Sequence, residues 1–366
     1  MRVVIFCHSL ISDWNHGNAH FLRGVAAELV ARGHRVDAYE PEDAWSLRNL
    51  VAEQGGAPIA DFHRAFPQLD VHRYRPADID LEQELDGADL VIVHEWNDPE
   101  VVARVGRQRA RMRFRLLFHD THHRGVTEPD AVSAYDLSHY DGVLAFGAVL
   151  RDLYVRRGWA QRAWTWHEAA DVRVFRPLPA EKTGDLVWIG NWGDEERSAE
   201  LHEFLLEPVR ELKLAGTVHG VRYPKAALAE LRRCGLQFAG WIPNYRVPAV
   251  FARFKVTVHV PRRLYAGALP GIPTIRPFEA LACGIPLVSA PWDDVEGLFR
   301  PGQDFLVARD GGEMRQHLRT LLDDPDTATA LAENGLRTIH ARHTCAHRVD
   351  ELLAIVESLS PRAVVA

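Results

Sequence analysis

A glutamate near the start of a short predicted helix is the strongest chemical signal in the chain. Residues 276–288 read RPFEALACGIPLV, which predicts a helix over Phe278–Cys283 and a strand from Leu287. Gly284 suits the left-handed conformation just past a helix, and Pro286 prevents its continuation. Glu279 then lies in the first turn, at the sheet edge where α/β proteins bind ligands. A carboxylate there can accept hydrogen bonds from two ribose hydroxyls, and the helix N-terminus favours a phosphate.

Three arginines near this segment carry groups suited to phosphate. Arg262 and Arg263 follow a predicted strand that ends at Val260, and Arg276 precedes the Glu279 helix. A guanidinium fork matches phosphate oxygens in charge and in geometry. The pair after the strand fits a solvated loop equally well, so both interpretations stay open.

Histidines follow the predicted strands of the first half of the chain. His119 follows a strand over residues 114–118, and His94 and Glu95 end the neighbouring strand. The loop that begins at His119 carries further possible metal ligands, Asp120, His122 and His123. Their tight spacing fits no closed metal site, so we predict that no metal is bound.

The loop between the first strand and the first helix is a second polar segment. Residues 13–20 read DWNHGNAH. Gly17 permits a close approach to the backbone at the start of the helix. His16 and His20 are candidate bases, and exposed polar filler is the alternative role for each.

Composition limits the class of protein. With 366 residues, 47% hydrophobic and 25% charged, the chain fits a soluble globular protein of about two domains. A net charge of −7 argues against general nucleic-acid binding. The four cysteines form no CxxC pair, which fits a reducing cytoplasm. No run of about 18 apolar residues predicts a membrane span.

Strands alternate with helices in both halves of the chain, which predicts parallel, doubly wound sheets. The predicted strands cover residues 2–7, 35–39, 88–93, 114–118, 142–146 and 163–166, then 186–189, 217–219, 237–239, 255–260, 287–290 and 305–308. The predicted helices cover residues 18–32, a segment from about 99, 197–213, 225–233 and 247–254, with three more from 312 onward.

A proline-containing break separates the two halves. The alternation stops over residues 171–182 and resumes with the strand at residue 186. We therefore predict domains over residues 1–177 and 178–345. The last helix, at about residues 346–359, is expected to cross back to the first domain.

The segment from Glu279 to Pro286 resembles the nucleotide-binding signature of GT-B glycosyltransferases, a glutamate followed by Ala-x-Ala-x-Gly-x-Pro. Asp171, Phe175 and Pro177 match the Asp-x-x-x-Phe-x-Pro pattern at which relatives pass between domains. The resemblance is to the retaining family-four type, and within it to the CgeB-like branch (glycosyl transferases group 1). It implies two Rossmann-like doubly wound domains that face each other across a cleft.

The resemblance also implies a function. A bacterial, cytoplasmic, hexosyltransferase-like enzyme would move a sugar from a nucleoside-diphosphate sugar to an acceptor, with retention, without metal and without a cofactor. It implies catalytic roles for His119, Glu279 and Arg263. The implied donor-binding residues are Gly17, Trp241, Arg262, Arg276 and the loop Gly271, Ile272, Pro273 and Thr274, and the implied acceptor side is His16, His20, His94 and Glu95.

The chain departs from the better-known relatives at two places. Gly271 stands where many carry a second glutamate, so the contact to the donor sugar would come from the backbone of its loop. After the first strand of the second domain only Arg197 is basic, where many relatives carry both Arg and Lys. The donor base, the donor sugar and the diphosphate-binding arginine therefore stay open.

Several alternatives remain at this point. A sugar-nucleotide epimerase of the same fold and a non-catalytic nucleotide-sugar-binding subunit share the donor signature. An inverting enzyme would use His16 or His20, with Asp13, as its base. The acceptor is a glycan, a lipid-linked molecule or a small molecule. The arginine run from Arg104 to Arg115 predicts a solvated face, and binding of an anionic acceptor or weak contact with a membrane surface is the alternative.

Overall fold

The computed structural model describes residues 1–359, which divide into two compact units. The first unit is Met1–Glu168 together with the chain from Cys345, and the second is Ala169–Thr344. The predicted boundary at 177/178 lies in the extended segment between the last strand of the first unit and the first strand of the second. It stays a prediction.

The first unit alternates strands with helices. Its strands are β1 (Arg2–Phe6), β2 (Arg35–Pro41), β3 (Asp70–Tyr74), β4 (Leu90–His94), β5 (Arg115–Asp120), β6 (Gly142–Ala145) and β7 (Ala163–Thr165). Its helices up to residue 168 are α1 (Ala19–Ala31), α2 (Trp45–Gln54), α3 (Ala57–Ala65), α4 (Leu81–Glu84), α5 (Pro99–Arg109), α6 (Arg124–Thr127), α7 (Pro129–Ser133) and α8 (Ala148–Arg156).

The second unit follows the same scheme. Its strands are β8 (Gly184–Ile189), β9 (Gly216–His219), β10 (Leu236–Gly240), β11 (Phe254–His259), β12 (Leu287–Ser289) and β13 (Leu306–Val307). Its helices are α9 (Ser198–Leu201), α10 (Glu207–Leu212), α11 (Lys225–Arg233), α12 (Val247–Phe251), α13 (Arg263–Ala268), α14 (Ile275–Ala282), α15 (Gly311–Asp323) and α16 (Pro325–Arg342). The last helix of the described chain, α17 (Cys345–Ser358), belongs to the first unit.

Within residues 1–359, each unit contains one parallel sheet. The strand orders are β3-β2-β1-β4-β5-β6-β7 and β10-β9-β8-β11-β12-β13. The order reverses between β1 and β4 and again between β8 and β11, and ligands bind at such reversals, at the carboxyl ends of the strands. The prediction of two Rossmann-like, doubly wound domains is confirmed.

Buried apolar runs form the central strands, as expected for strands covered by helices on both faces. Residues 90–93 of β4 and 116–118 of β5 are at most 1% exposed. In the second unit, Trp188 of β8 and Val256 of β11 belong to a core that also includes Met314 of α15. The polar residues at the ends of these strands are therefore held by rigid elements.

The last helix packs against α1 of the first unit. The indole Nε1 of Trp166 donates a hydrogen bond of 2.8 Å to the carbonyl oxygen of Arg348 on α17. Arg32, after α1, forms an ion pair with Asp350. None of the helices in residues 1–359 combines the length and the apolar composition needed to cross a bilayer.

The bounds of all twelve predicted strands are confirmed to within two residues. The helix that carries Glu279 differs, because α14 begins at Ile275 rather than at Phe278. Pro277 does not delay the start, since the N–H groups of the first helical turn have no partner within the helix. Glu279 therefore lies beyond the first turn, and the prediction of its place in that turn was wrong.

Two other predicted helices are interrupted or shortened. The helix predicted over 197–213 contains a π-helical turn at His202–Leu206 before α10. Pro208 lacks an N–H group and its ring clashes with the preceding turn, and such a clash is relieved by a local widening of the helix. The helix predicted to residue 254 ends at Phe251 because β11 begins at Phe254.

Candidate functional site

Glu279 lies on a buried face of α14, the helix that follows β11. Its side chain has no exposed surface. Oε1 accepts a hydrogen bond of 2.8 Å from Nδ2 of Asn244, which lies in a single 3₁₀ turn after β10. Oε2 forms an ion pair with Arg276, one turn earlier on α14. A buried carboxylate needs such partners, and these two fix its orientation.

Arg197 is the cation whose environment is most unusual. Its two Nη atoms donate to the carbonyl oxygens of Val260 at 3.1 Å and Asn191 at 2.7 Å, and its guanidinium lies 5.2 Å from the ring centre of Trp188. Its Nε is buried and has no partner among the described residues. Desolvation, together with the charges of Arg262 and Arg276, lowers the pKa of Arg197 to about 10. A cation held beside other cations and away from water favours an anion as its partner.

The three arginines predicted for phosphate binding have different surroundings. Arg262 pairs with Glu196 at 2.7 Å and is 25% exposed, and Arg276 is 19% exposed. Arg263 begins α13, is 60% exposed and pairs with Glu200 at 2.9 Å. All three are paired with a carboxylate, but Arg262 and Arg276 are partly buried and act on the charge of Arg197, whereas Arg263 lies on an exposed face.

The loop over residues 271–274, which precedes α14, ends in a strained backbone conformation at Thr274. Gly271 has φ +88°, and a Cβ at this position would lie 2.8 Å from the side chain of Glu296. Ile272 and Pro273 are buried. Thr274 has φ +60° and ψ −178°, a region that only glycine adopts freely, and such conformations cost about 1–3 kcal/mol. The predicted donor-binding loop is therefore held in one backbone conformation by its surroundings.

His259 and Ser289 end two neighbouring strands of the second sheet, β11 and β12. Nδ1 of His259, at the end of β11, lies 2.9 Å from Oγ of Ser289, and Nε2 has no partner among the described residues. Burial lowers the pKa of His259 to about 3, with a contribution from the charge of Arg197. Trp241 follows β10 and is half-buried. The carboxyl edge of this sheet thus carries the arginines, the neutral imidazole of His259 and the buried carboxylate of Glu279.

His94 and His119 lie side by side at the carboxyl edge of the first sheet, where they are register partners on β4 and β5. Both side chains are fully buried, with ring centres 5.2 Å apart. Nε2 of His94 lies 3.1 Å from Oγ1 of Thr121. Neither ring nitrogen of His119 has a partner among the described residues. Burial lowers the pKa of His119 to about 3 and also lowers that of His94, so both rings are neutral at pH 7.

The imidazoles continue across the same edge. The ring centre of His16 lies 6.3 Å from that of His94 and 5.1 Å from that of His8, which follows β1. We call His8, His16, His94 and His119 the histidine row. Burial lowers the pKa of His8 to about 4 and lowers that of His16 as well. His20 is buried in the first turn of α1, and Gly17 is exposed in the preceding turn.

A buried acidic pair adjoins the histidine row. Arg124 donates to Glu95 at 2.6 Å, and Asp120 accepts a hydrogen bond of 2.7 Å from the hydroxyl of Tyr154. Burial, with the charge of Asp120, raises the pKa of Glu95 to about 8, and burial also raises that of Asp120. Burial thus favours the neutral form of both carboxyl groups, whereas the charge of Arg124 favours the ionised form.

Sequence patterns missed several of these residues. No sequence motif singles out His8, Asn244, His259 or Ser289, and Arg197 is only the one basic residue left where many relatives carry two. His8, His259 and Ser289 each end or follow a central strand, so the rule that identified His94 and His119 would have found them too. Asn244 follows β10 by a short loop, and no sequence signal connects it with Glu279.

The arginine run from Arg104 to Arg115 is largely engaged. Arg104 donates to the carbonyl oxygen of Ile79 at 2.8 Å, Arg107 pairs with Glu100, and Arg109 pairs with Asp141 at 3.4 Å. The side chain of Arg107 is 54% exposed and that of Arg109 only 7%, so the run is a solvated face in part. The membrane-surface contact stays a prediction.

Comparisons with known proteins agree with this arrangement. Residues 197–354 match a family described as glycosyl transferase-like, and this segment contains Arg197, Asn244, Arg262, Arg276 and Glu279. No curated protein sequence matches the chain. Within residues 1–359, the fold of the chain is that of the GT-B glycosyltransferases.

Solved structures of low sequence identity match nearly the whole chain. Sucrose-phosphate synthase from Thermosynechococcus elongatus is 14% identical with a TM-score of 0.67, and 98% of each chain is covered. Anabaena Alr3699/HepE in complex with UDP-glucose is 15% identical with a TM-score of 0.66, over 98% of this chain and 100% of that one. An α-glucosyltransferase in complex with UDP and a 13-mer DNA is 10% identical with a TM-score of 0.67, over 98% and 99%. At these identities the likeness concerns the fold.

His119→Phe tests whether His119 is retained for function rather than for stability. We expect the free energy of unfolding at pH 7 to stay equal or to rise by about 1–3 kcal/mol, because a phenyl ring leaves no buried nitrogen unpaired. A histidine with a lowered pKa contributes stability above pH 6.5 that is lost as the pH falls toward 3. Between pH 6 and 5, the free energy of unfolding of the variant should therefore fall by about 1.4 kcal/mol less than that of the wild type.

Urea unfolding at pH 7, 6 and 5 measures both effects. His63→Phe, on the exposed side of α3, is the matched control and should leave the pH dependence unchanged. A large loss of stability in His119→Phe with an unchanged pH dependence would show that His119 is a structural residue.

Proposed function

We propose that the protein is a glycosyltransferase that moves a hexose from a nucleoside-diphosphate sugar to an acceptor hydroxyl. The observation that carries this proposal is the carboxyl edge of the second sheet. There the charges of Arg262 and Arg276 act on the buried guanidinium of Arg197, and Arg276 pairs with the buried carboxylate of Glu279. The family match over residues 197–354 includes all four residues and supports the same assignment.

The charges at this edge suit a nucleoside diphosphate. Arg197 and Arg262 are assigned to the diphosphate, because paired guanidinium groups bind phosphate oxygens strongly. Glu279, held by Asn244, is assigned to the ribose hydroxyls. The exposed position of Arg263 makes Arg197 the better candidate for the diphosphate. A UDP-sugar is the first donor to test, because matching structures hold UDP or UDP-glucose.

We propose retention of the anomeric configuration, as in the retaining family-four type and its CgeB-like branch. The bond between C1 of the sugar and the leaving phosphate breaks while the acceptor oxygen bonds to C1 on the same face. The proton of the acceptor hydroxyl passes to a phosphate oxygen. This reaction needs cations that stabilise the leaving diphosphate, as the arginines of the second unit do, more than it needs a strong base.

The first sheet contributes neutral groups to the proposed reaction. His119 is assigned to the donor sugar, and His16, His20, His94 and Glu95 to the acceptor. Imidazoles with lowered pKa values accept and donate hydrogen bonds without adding charge. The proposed reaction uses neither a metal nor a cofactor. The cysteines are free, which supports a reducing compartment such as the cytoplasm.

Two alternative functions would use the same donor site. A sugar-nucleotide epimerase would convert the donor without an acceptor, and a silent binding subunit would hold it unchanged. Incubation with UDP-, GDP-, ADP- and TDP-sugars, followed by chromatography of the nucleotides, separates these functions. We expect one nucleotide to be released, faster when an acceptor is added. An epimerised sugar nucleotide, or binding without turnover, would favour a rival, and no binding of any nucleotide would refute all three.

Glu279→Gln tests the ribose assignment in the same system. The amide keeps the size of the side chain but loses its charge, so we expect nucleotide affinity to fall by about 1.5–3 kcal/mol, or roughly 10- to 100-fold. Calorimetric titration with the released nucleotide measures the change. Glu313→Gln removes a comparable glutamate–arginine pair on α15 and serves as the control. Equal affinities in Glu279→Gln and the wild type would assign the pair to stability alone.

The stereochemical proposal predicts the anomer of the first-formed product. NMR of the anomeric proton, recorded before the product equilibrates, should show the configuration of the donor. His119→Ala should reduce turnover, because it removes a contact to the donor sugar, whereas His16→Ala and His20→Ala should leave the configuration unchanged. An inverted product, with activity lost in His16→Ala or His20→Ala and little affected in His119→Ala, would assign the base role to the first loop.

A further inference from the structure

Two tryptophans flank one end of the histidine row. The ring centre of Trp45, at the start of α2, lies 4.5 Å from that of His8, and the ring centre of Trp96, just after β4, lies 6.3 Å from it. The two indoles are 6.2 Å apart and inclined at 76°. Both are half-buried, whereas His8 is 3% exposed. Two partly exposed indoles thus border buried imidazoles.

Two of the buried imidazoles each have a ring nitrogen that could still form a hydrogen bond. Nε2 of His16 and Nδ1 of His94 are buried and have no partner among the described residues. The other nitrogen of His94 contacts Oγ1 of Thr121 at 3.1 Å, which orients the ring. Buried polar atoms are normally hydrogen-bonded, so unpaired ones beside partly exposed indoles indicate a ligand with its own donors and acceptors.

The arginines that act electrostatically on the row are engaged elsewhere. Arg23, which acts on His16, donates to the carbonyl oxygens of Leu10 at 2.6 Å and Ile11 at 3.0 Å, and it pairs with Asp13 at 2.9 Å.

Arg124, which acts on His94, pairs with Glu95 at 2.6 Å and lies over the ring of Trp96 at 4.2 Å. An anionic ligand would lose its hydration here without gaining a free cation, and that loss is costly. This edge therefore differs in charge from the arginine-rich edge of the second sheet.

We propose that three members of the histidine row, His8, His16 and His94, bind a neutral saccharide that serves as the acceptor, together with Trp45 and Trp96. Sugar hydroxyls both donate and accept hydrogen bonds, as the nitrogens of neutral imidazoles do, and the C–H faces of a pyranose pack on indole rings. His8, Trp45 and Trp96 are thereby assigned to acceptor binding. This inference rests on the proposed transferase function. A saccharide hydroxyl bonds to C1 of the donor sugar, its proton passes to the leaving phosphate, and the nucleoside diphosphate is released.

The first experiment compares acceptors of different charge. The protein, saturated with the sugar nucleotide that it turns over, is mixed with methyl glucoside and maltose as neutral probes and with glucuronic acid and glucose 6-phosphate as anionic ones. Release of nucleotide and mass of the product are measured. We expect transfer to a neutral probe at a rate at least tenfold above that with its anionic counterpart. Transfer only to the anionic probes, or only to a serine-containing peptide or a lipid-linked phosphate, would overturn the proposal.

Variants then test the assigned residues. Trp45→Leu keeps apolar volume but removes the aromatic face, and His16→Phe keeps the ring but removes its nitrogens. Each should raise KM for the neutral acceptor about three- to tenfold, while KM for the donor stays within twofold. Trp159→Leu is the matched control, since Trp159 is half-buried in the same unit but packs on Tyr154. Circular dichroism and thermal melting confirm that each variant is folded.

The outcomes separate this inference from the function on which it depends. A raised KM for the donor with an unchanged KM for the acceptor would place the row in the donor sugar site and overturn the inference alone. Unchanged constants in both variants would also overturn it. Failure of the wild type to bind any sugar nucleotide would instead refute the transferase function.

Discussion

The electrostatic arrangement around Arg197 is the constraint on which the second unit depends. Its guanidinium is held by carbonyl oxygens, and the charges of two more arginines, Arg262 and Arg276, act on it. Such an arrangement costs stability in the empty protein, because the buried charge of Arg197 has lost its hydration and no carboxylate pairs with it among the described residues. Rigid elements maintain it: β8 and β11 carry the flanking backbone, and α14 holds Arg276 through its ion pair with Glu279. A bound diphosphate would turn this repulsion into attraction.

The carboxyl edge of the first sheet carries neutral groups instead of cations. Four imidazoles are buried there and kept neutral, and the arginines that act on them are engaged by carboxylates and carbonyl oxygens. The two units thus share a topology but differ in charge. One edge favours an anion, and the other favours neutral hydroxyl groups. This difference is what a reaction between a nucleotide sugar and a neutral acceptor would require.

Much of the fold could be predicted from the sequence, because buried parallel strands are short apolar runs with turn residues between them. β3 escaped prediction because Asp70–Tyr74 is an edge strand in which polar residues predominate. For the site, strand ends identified His94, His119 and the region of Arg262. Whether an arginine points inward, like Arg197, or outward, like Arg263, depends on partners far away in sequence. Asn244 and Glu279 form a hydrogen bond although 35 positions separate them in the sequence, and no local pattern predicts that contact.

A thermal-shift measurement on Arg197→Met tests the role of this cation most directly. If Arg197 is kept beside other arginines in order to bind a diphosphate, removing its charge relieves a repulsion. The empty variant should then melt at the wild-type temperature or above it. Nucleoside diphosphate at 100 times the wild-type Kd should stabilise the wild type by about 2.7 kcal/mol and the variant hardly at all. Arg309→Met, at an exposed arginine of the same unit, should retain the full shift. A variant that melts lower than the wild type but keeps the nucleotide-induced shift would contradict the account.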